Sequence, residues 1–468
     1  MSDELPPRQP HRPLRWPDPV LRLCATLAGS AAPVFIVGGA VRDALLHRPL
    51  KDLDLAVPAG GAALARRIAN RAGGAFFPLD SARDVGRALL DTEYGRLVVD
   101  VARFRGPDLY ADLADRDFTI NAMAVDARAD LGLLIDPLGG EQDARAKVIR
   151  RCGPRSLDDD PVRCLRAVRL SAQLGMRIEP ATVQDVRRCA PRLVSVSPER
   201  VRDELFRLLT LPRAAAALRA AAAVGVVGPA LPGLDFEGDS WRRALATIEH
   251  LAAVAVASAD YSDDLTASLG TGMLVMQLGR FHSQLRAHFE TPWPNNRPHG
   301  ALLALTALLA AGTPARAAEQ AVALRLSSAE SERISRVVRG AGAALALDPT
   351  DRRALHRFWR DAGPAGVDMC LLSAADFLAA AGTALHQDRW LSAIDRVCAL
   401  LDAYFNRYAE IVEPPPLVDG TALMRMLGLA PGPNVGALLA AMREAQAAGE
   451  VHTAEEALRL ARRLLGGS

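Results

Sequence analysis

FIVGGAVRDALLHRPLKDLDLAV, residues 35–57, decides how the N-terminal part of this chain folds. Val34–Val37 is a short apolar run that stops at Gly38-Gly39, and Ala40–His47 returns to helical spacing, so the segment reads as strand, tight turn, helix. Glycine lets a backbone come close to a phosphate, and a helix N-terminus presents unpaired N–H groups with a partial positive charge. Arg42, in the first turn of that helix, adds a charge-assisted donor. Asp52-Leu53-Asp54 opens a second strand, Asp52–Val57. Residues i and i+2 of a strand share a face, so both carboxylates converge as hard oxygen ligands suited to Mg²⁺ on a triphosphate. Taken singly, the glycine pair is an ordinary strand–helix turn and the acidic pair a solvated one. Their order and close spacing join them into one candidate site.

Working outward, GGAVRD…KDLDLAV resembles the catalytic motif of the class II tRNA nucleotidyltransferases and bacterial poly(A) polymerases, in the polymerase-β-like superfamily. ADRDFTINAMAVD, residues 114–126, resembles the RRDFTINA segment of that family, with Asp115 where the first arginine usually stands. The resemblance implies that Asp52 and Asp54 hold metal. It implies that Gly38 and Gly39 cradle the nucleotide with Arg42, that Arg116 and Asp117 lie near its ribose and phosphates, and that Asn121 supports the loop. A helix N-terminus capped by Asp117 or Thr119 is the plainer reading of the same residues. Asp100, in VVDVARF, stands where the family carries an acidic strand residue. It either completes the metal site or is an edge-strand carboxylate.

SLDDDPVRCLRAVRLSAQLG, residues 156–175, has acidic capping residues, Pro161 in its first turn and Gly175 as its stop. Asp160, Arg163, Arg166 and Arg169 recur every third residue along one side of a helix, the pattern of a salt-bridged surface. The segment also resembles the family's EDxxRxxRAxRFxxxLGF motif, with Asp159 in place of the usual Glu. By that likeness Asp160 and Arg163 read the base edge of CTP or ATP, and Arg166 and Arg169 hold triphosphate or primer. SVSPERVRDELFRLL, residues 195–209, resembles the helix that follows, with Glu199, Arg200 and Glu204 as braces.

At 468 residues the chain is too long for one core. The first ~140 residues alternate strand-like and helical segments, and nearly all that follows is helical in pattern. The expected fold is α+β, a polymerase-β-like head with a mixed sheet followed by an all-α neck, body and tail. The expected boundaries are a disordered Pro- and Arg-rich leader at 1–19, the head at 20–142, the neck at 143–215, the body at 216–412 and the tail at 413–468. Pro-rich residues 291–300 and Pro414–Pro416 read as linkers. Net charge is +2, and lysine occurs only at Lys51 and Lys147, so the cations are almost all arginines, crowded between residues 145 and 213. Six scattered cysteines form no CxxC pair, which fits a reducing cytoplasm. No uninterrupted apolar run has the length of a membrane span.

The C-terminal half resembles weakly that of bacterial homologues with an HD phosphohydrolase domain. None of the nine histidines here is followed by Asp, and LLAAGTP (308–314) stands where homologues read LLHDIGKP. A metal-free helical scaffold is expected, with His250, His282 and His299 as ordinary helix or loop residues. The expected activity is Mg²⁺-dependent, template-independent addition of CMP and AMP from CTP and ATP to the 3′ end of tRNA. Completion of CCA is the leading product. CC-only, A-only and poly(A) addition are the alternatives, with an inactive RNA-binding homologue as the non-enzyme reading. The connector between a third expected strand, Leu97–Phe104, and Arg116, residues 105–115, is short. The switching enzymes of the family carry a long flexible segment there.

Overall fold

A computed structural model describes residues 6–466 except 51, 259–268, 292, 294–296 and 383. The chain divides into two compact units, Met1–Val196 with Val224–Pro229, and Ser197–Ala223 with Ala230–Ser468.

The first unit begins with α1 (Asp18–Leu27), β1 (Phe35–Val37), α2 (Gly39–Leu46), β2 (Asp52–Val57) and α3 (Gly61–Ala72). Then come β3 (Ala75–Asp80), β4 (Val85–Thr92), β5 (Gly95–Arg103), α4 (Leu109–Ala114) and β6 (Ala124–Asp126). The six strands form one sheet in the order β3-β4-β5-β2-β1-β6. β2 and β5 are parallel and the other neighbours antiparallel, which makes the sheet mixed, as expected. α3 buries Leu64, Ala65, Ile68 and Ala69, a single stripe at helical spacing, and ends at Gly73 in the left-handed region. Its floor is one face of the sheet, where Gly86, Ala88, Leu90, Val99, Val101, Leu53 and Leu55 alternate inward. The fit is close: a Cβ on Gly86 would stand 2.9 Å from the Ala62 Cα and 3.0 Å from the Ala65 Cβ.

The opposite face is covered only in part. Leu109 and Leu113 of α4 pack with Val37, Ala56, Ala122, Ala124 and Ile135. The rest of that face carries Asp52, Asp54, Asp100 and Arg87 among Val98, Ala102 and Leu89.

Three of these strands escape a reading by pattern. β4, VGRALLDT, alternates in burial, but its Ala-Leu-Leu centre has the composition of a helix. β3, AFFPLD, is an edge strand interrupted by Pro78, and β6 has only three residues. The leader expected to be disordered is, from Pro6 on, laid against this unit. Arg8 pairs backbone to backbone with Leu134 (3.0 and 2.8 Å) and its guanidinium reaches Glu141 and Asp136, while the Trp16 indole donates to the Leu131 carbonyl at 2.9 Å. Its sequence is poor in apolar residues, but its donors meet acceptors more than a hundred residues away.

The part of the expected neck up to residue 196 groups with the sheet. It comprises α5 (Gly140–Arg145), α6 (Ser156–Asp159), α7 (Arg163–Leu174) and α8 (Pro180–Cys189), with a two-residue parallel pair, β7 (Val148–Ile149) and β8 (Arg177–Ile178). That pair corrects an all-helical expectation for the neck.

Every described element of the second unit is helical. Trp390, fully buried, and Trp359, stacked on Tyr404 at 4.4 Å, anchor its middle. One apolar helical stretch, Arg352–Ala381, has the length of a membrane span, but two-thirds of its most apolar 18 residues are buried and Gly363 breaks it. Near the C-terminus three helices, Gly420–Leu427, Pro433–Ala448 and Ala454–Gly466, close around Leu423, Leu438, Met442, Ala457 and Ala461. Glu444 joins this group to Arg352–Ala362 by accepting from Arg353 (2.8 Å), Arg357 (2.6 Å) and Arg360 (3.2 Å).

Candidate active site

The uncovered part of the sheet face holds the acidic residues. Asp54 on β2 lies in register with Asp100 on β5, and Asp100 with Arg87 on β4, so the three side chains form a row across neighbouring strands. Asp52, two residues before Asp54, lies on the same face. β5 is an interior strand, so Asp100 is not an edge-strand carboxylate. Arg87 grips it with a fork, Nε to Oδ1 at 2.7 Å and Nη2 to Oδ2 at 2.8 Å. The Asp54 carboxyl is pushed above the usual range by burial. Arg116 offsets part of this, and Asp100 adds to it. Carboxylates crowded on one rigid face fit a hard divalent cation.

Above the row stands the turn that begins α2. Gly38 has φ +76°, and a Cβ there would stand 2.9 Å from Arg116 Nη1 and 3.2 Å from Asp54 Oδ2. Only glycine fits both the backbone and the space. Arg116 is fixed in turn by Asp112, whose Oδ2 accepts from its Nη2 at 2.8 Å and Nε at 3.2 Å, while Oδ1 takes the Arg105 N–H at 3.1 Å. Asp112 is buried, at 2% exposure.

Asp117 accepts from the Phe118 N–H (2.8 Å) and Asn121 Nδ2 (3.1 Å), and pairs with Arg166 Nε at 2.6 Å. Burial alone would raise its carboxyl, but Arg166, Asn121 and the Phe118 amide hold it below the ordinary value. Asn121 Oδ1 takes Arg42 Nη1 at 2.7 Å, and the rest of that guanidinium forks onto Asp43. Arg42 is thereby a buried brace between the turn and the Asn121 segment. The sequence reading of Asp117 or Thr119 as a helix cap has a counterpart in a single 3₁₀ turn, Thr119–Asn121, with no side-chain cap.

On α7, Arg163 and Arg169 are buried at 7% and 8% exposure, so the helix is no solvated salt-bridge surface. Arg163 donates to the carbonyls of Asp115 (2.8 Å), Arg116 (3.1 Å) and Ser156 (3.1 Å), and its Nε lies 3.8 Å from Asp160. Arg169 donates to Gln173 at 2.7 Å. The structure therefore gathers Gly38, Arg116, Asp54 and Asp100 at one place. A linked chain of Asp117, Asn121, Arg42 and Arg166 lies beside it, and Arg163 is tied to the end of the 105–115 connector.

Arg87 and Asp112 escape a motif reading. Nothing marks Arg87 until β4 is recognised, whereas Asp112, four residues before Arg116 at helical spacing, carried a faint signal.

A second cluster lies in the other unit, where His288, His299 and Asp368 bring ligand atoms within 4.8 Å of one another. Hydrogen bonding decides its character. The Trp293 indole N–H donates to His299 Nδ1 at 2.9 Å, so that nitrogen bears no hydrogen and Nε2 bears one, directed at Asp368 (2.9 Å). His288 Nε2 (2.8 Å) and Arg333 Nε (2.6 Å) complete the carboxylate's set. A protonated Nε2 is no metal ligand, and Arg333 already supplies the cation. Burial would raise the Asp368 carboxyl, but the two histidines and Arg333 hold it well below the usual range. His299, expected to be an ordinary residue, is a buried member of this network.

Residues 34–150 match the model of the poly(A) polymerase head domain, and residues 175–237 that of the probable RNA- and SrmB-binding site of polymerase A. The chain is 36% identical to a CC-adding tRNA nucleotidyltransferase of Geobacter sulfurreducens over 94% of both chains. It is 34% identical to an A-adding tRNA nucleotidyltransferase of Deinococcus radiodurans, covering 90% of this chain and 93% of that one. The fold is similar to that of a CCA-adding enzyme in complex with ATP, with a TM-score of 0.66 at 22% identity over 96% and 95% of the two chains.

Proposed function

This chain belongs to the tRNA nucleotidyltransferases, enzymes that add nucleotides to tRNA, and from that premise we propose that it adds two cytidines from CTP to the tRNA 3′ end and stops there. This takes up the CC-only alternative of the sequence reading in place of its leading expectation, completion of CCA. The observation that carries it is the connector. Residues 105–115 include α4, with Leu113 fully buried, Leu109 at 7% exposure and Asp112 at 2%. Asp112 ties the connector at both ends, to the Arg105 N–H and to Arg116, and Arg163 holds the carbonyl of its last residue, Asp115. Accepting ATP after CTP requires the base pocket to change shape, and a connector with a buried core and buried ionic ties resists such a step. The CC-adding relative supports the same reading.

In this proposal Asp52, Asp54 and Asp100 hold Mg²⁺, in line with the divalent-metal dependence of the family. Bound there, the ion would supply acidification of the primer 3′-OH and charge neutralisation at the pyrophosphate leaving group. The chain's own groups do the rest. The Gly38-Gly39 turn and the α2 N-terminus receive the triphosphate through backbone N–H groups. Arg116, held by Asp112, lies beside Gly38 and Asp54 to neutralise phosphate oxygens, and Arg42 keeps the turn rigid through Asn121. Asp160 and Arg163 read the cytosine edge, with Arg166 and Arg169 toward triphosphate and primer. Arg163 is already tied to carbonyls, so the pocket wall it forms is fixed before the nucleotide arrives. The partners are tRNA and CTP. Six free cysteines, five of them buried, accord with work in the cytoplasm.

The deciding experiment supplies two substrates. With CTP, tRNA ending at the discriminator base should gain two nucleotides. With ATP alone, tRNA ending in CC should gain none, and efficient single-A addition to it would overturn the CC-only reading. Asp54→Ala should abolish incorporation while tRNA binding survives. Incorporation within about tenfold of the unmutated enzyme would overturn the metal assignment.

A further inference from the structure

We propose that Arg87 is the positioning residue of the carboxylate row, fixing the orientation of Asp100 and weakening the row's grip on its divalent ion. The inference rests on the metal-binding reading of Asp52, Asp54 and Asp100.

The argument starts from register. Asp54, Asp100 and Arg87 occupy matched positions on three adjacent strands, so their side chains rise side by side from one face. Like charges at matched positions repel, and an unrestrained Asp100 would rotate away from Asp54. Arg87 prevents this from the far side by holding both oxygens of Asp100 at 2.7 and 2.8 Å. A two-pronged grip fixes the plane of a carboxylate, which a lysine cannot do. It takes one lone pair from each oxygen and leaves one on each for a cation.

The pair is not explained by folding. Arg87 is 40% exposed and Asp100 27%, and an ion pair that open to water contributes little to stability. The guanidinium also interacts with Asp52 and Asp54 as well as with Asp100, so its charge acts on the whole row. Two effects follow, and they are separable. The fork orients a ligand, and the charge lowers the row's affinity for a divalent ion, which keeps the site able to release it with pyrophosphate.

The test uses the full-length protein and Mn²⁺ as the probe, with binding followed by electron paramagnetic resonance in the absence of nucleotide. Arg87→Gln removes the charge and keeps a neutral donor to Asp100. Its Mn²⁺ affinity should rise about tenfold, the scale expected for deleting one charge beside several carboxylates. Arg87→Lys keeps the charge and loses the fork. Its Mn²⁺ affinity should stay within twofold of the unmutated enzyme, while kcat for CMP incorporation falls at least about tenfold at unchanged KM for CTP. Asp54→Ala is the control. If it binds Mn²⁺ like the unmutated enzyme, the metal assignment fails. If Asp54→Ala loses Mn²⁺ and Arg87→Gln leaves the affinity unchanged, the metal assignment stands and the role of Arg87 is refuted. Arg87→Lys with unaltered kcat would equally refute the orienting role.

Discussion

Replacing Asp368 by alanine tests whether the His288–His299–Asp368 cluster is a hydrogen-bonded brace or a metal site. The carboxylate accepts from Arg333 Nε at 2.6 Å, His288 Nε2 at 2.8 Å and His299 Nε2 at 2.9 Å. Arg333 is 9% exposed and His299 3%, so the variant leaves a buried guanidinium without its counter-charge and a buried N–H without an acceptor. Removing one partner of a buried ion pair costs about 3–5 kcal/mol, and each orphaned neutral donor about 1–3 kcal/mol. His288 is only partly shielded and recovers a bond to water, and Asp368 itself no longer has to be desolvated. The net cost should be about 4 kcal/mol, which lowers the melting temperature by roughly 8–16 °C for a unit of this size. The assay is a thermal melt by circular dichroism with CMP incorporation measured at 20 °C alongside. Incorporation should stay within about twofold, because Asp368 belongs to the unit that does not contain the carboxylate row. A chelator should leave the melt of the unmutated protein unchanged. A melting temperature of Asp368→Ala within about 2 °C of the unmutated protein would refute the brace. So would a chelator-induced drop in the unmutated protein accompanied by release of zinc.

Gly38→Ala should lower kcat for CMP incorporation by at least about a hundredfold with little change in tRNA affinity, since its methyl group, carried on backbone at φ +76°, would push against Arg116 and Asp54; nitrocellulose binding and incorporation kinetics check both halves. Glu444 makes the acid stability of the C-terminal helices predictable. Arg357 first, then Arg353, draws its folded pKa down to about 2 from an ordinary value of 4.5. A lowered carboxylate pKa contributes stability that is complete above about pH 4.5 and disappears as pH falls toward about 2. Glu444→Gln should therefore be less stable than the unmutated protein at pH 7 and should converge with it near pH 2, as acid titration followed by tryptophan fluorescence would record.

Much of the head could be read in the sequence because its local and long-range signals agree. β2 occupies the six residues expected of the second strand. The neighbourhood of Asp54 was legible for the same reason, since two carboxylates share one face of a strand that follows the glycine turn. What stayed hidden depends on pairing across the chain. Arg87 matters because β4 lies beside β5, a fact no property of VGRALLDT announces. His299 looks like any helix-starting histidine until Arg333 and Asp368 are brought to it from other segments. Arg163 was legible as a functional arginine, but its ties to the Asp115 and Arg116 carbonyls required the fold.

The strap formed by the first residues has a consequence in time. Arg8 leaves the ribosome early, but Leu134 and Glu141, its partners, are made more than a hundred residues later. β1 likewise waits beside β2 for β6, whose three residues begin at Ala124. At about 5–20 residues per second this is a delay of several seconds in which the nascent head has neither its N-terminal belt nor one edge of its sheet. The head should therefore close in one late event rather than strand by strand. Ribosome-held chains that expose only residues 1–120 should be cut freely by protease, and those that expose 1–150 should resist.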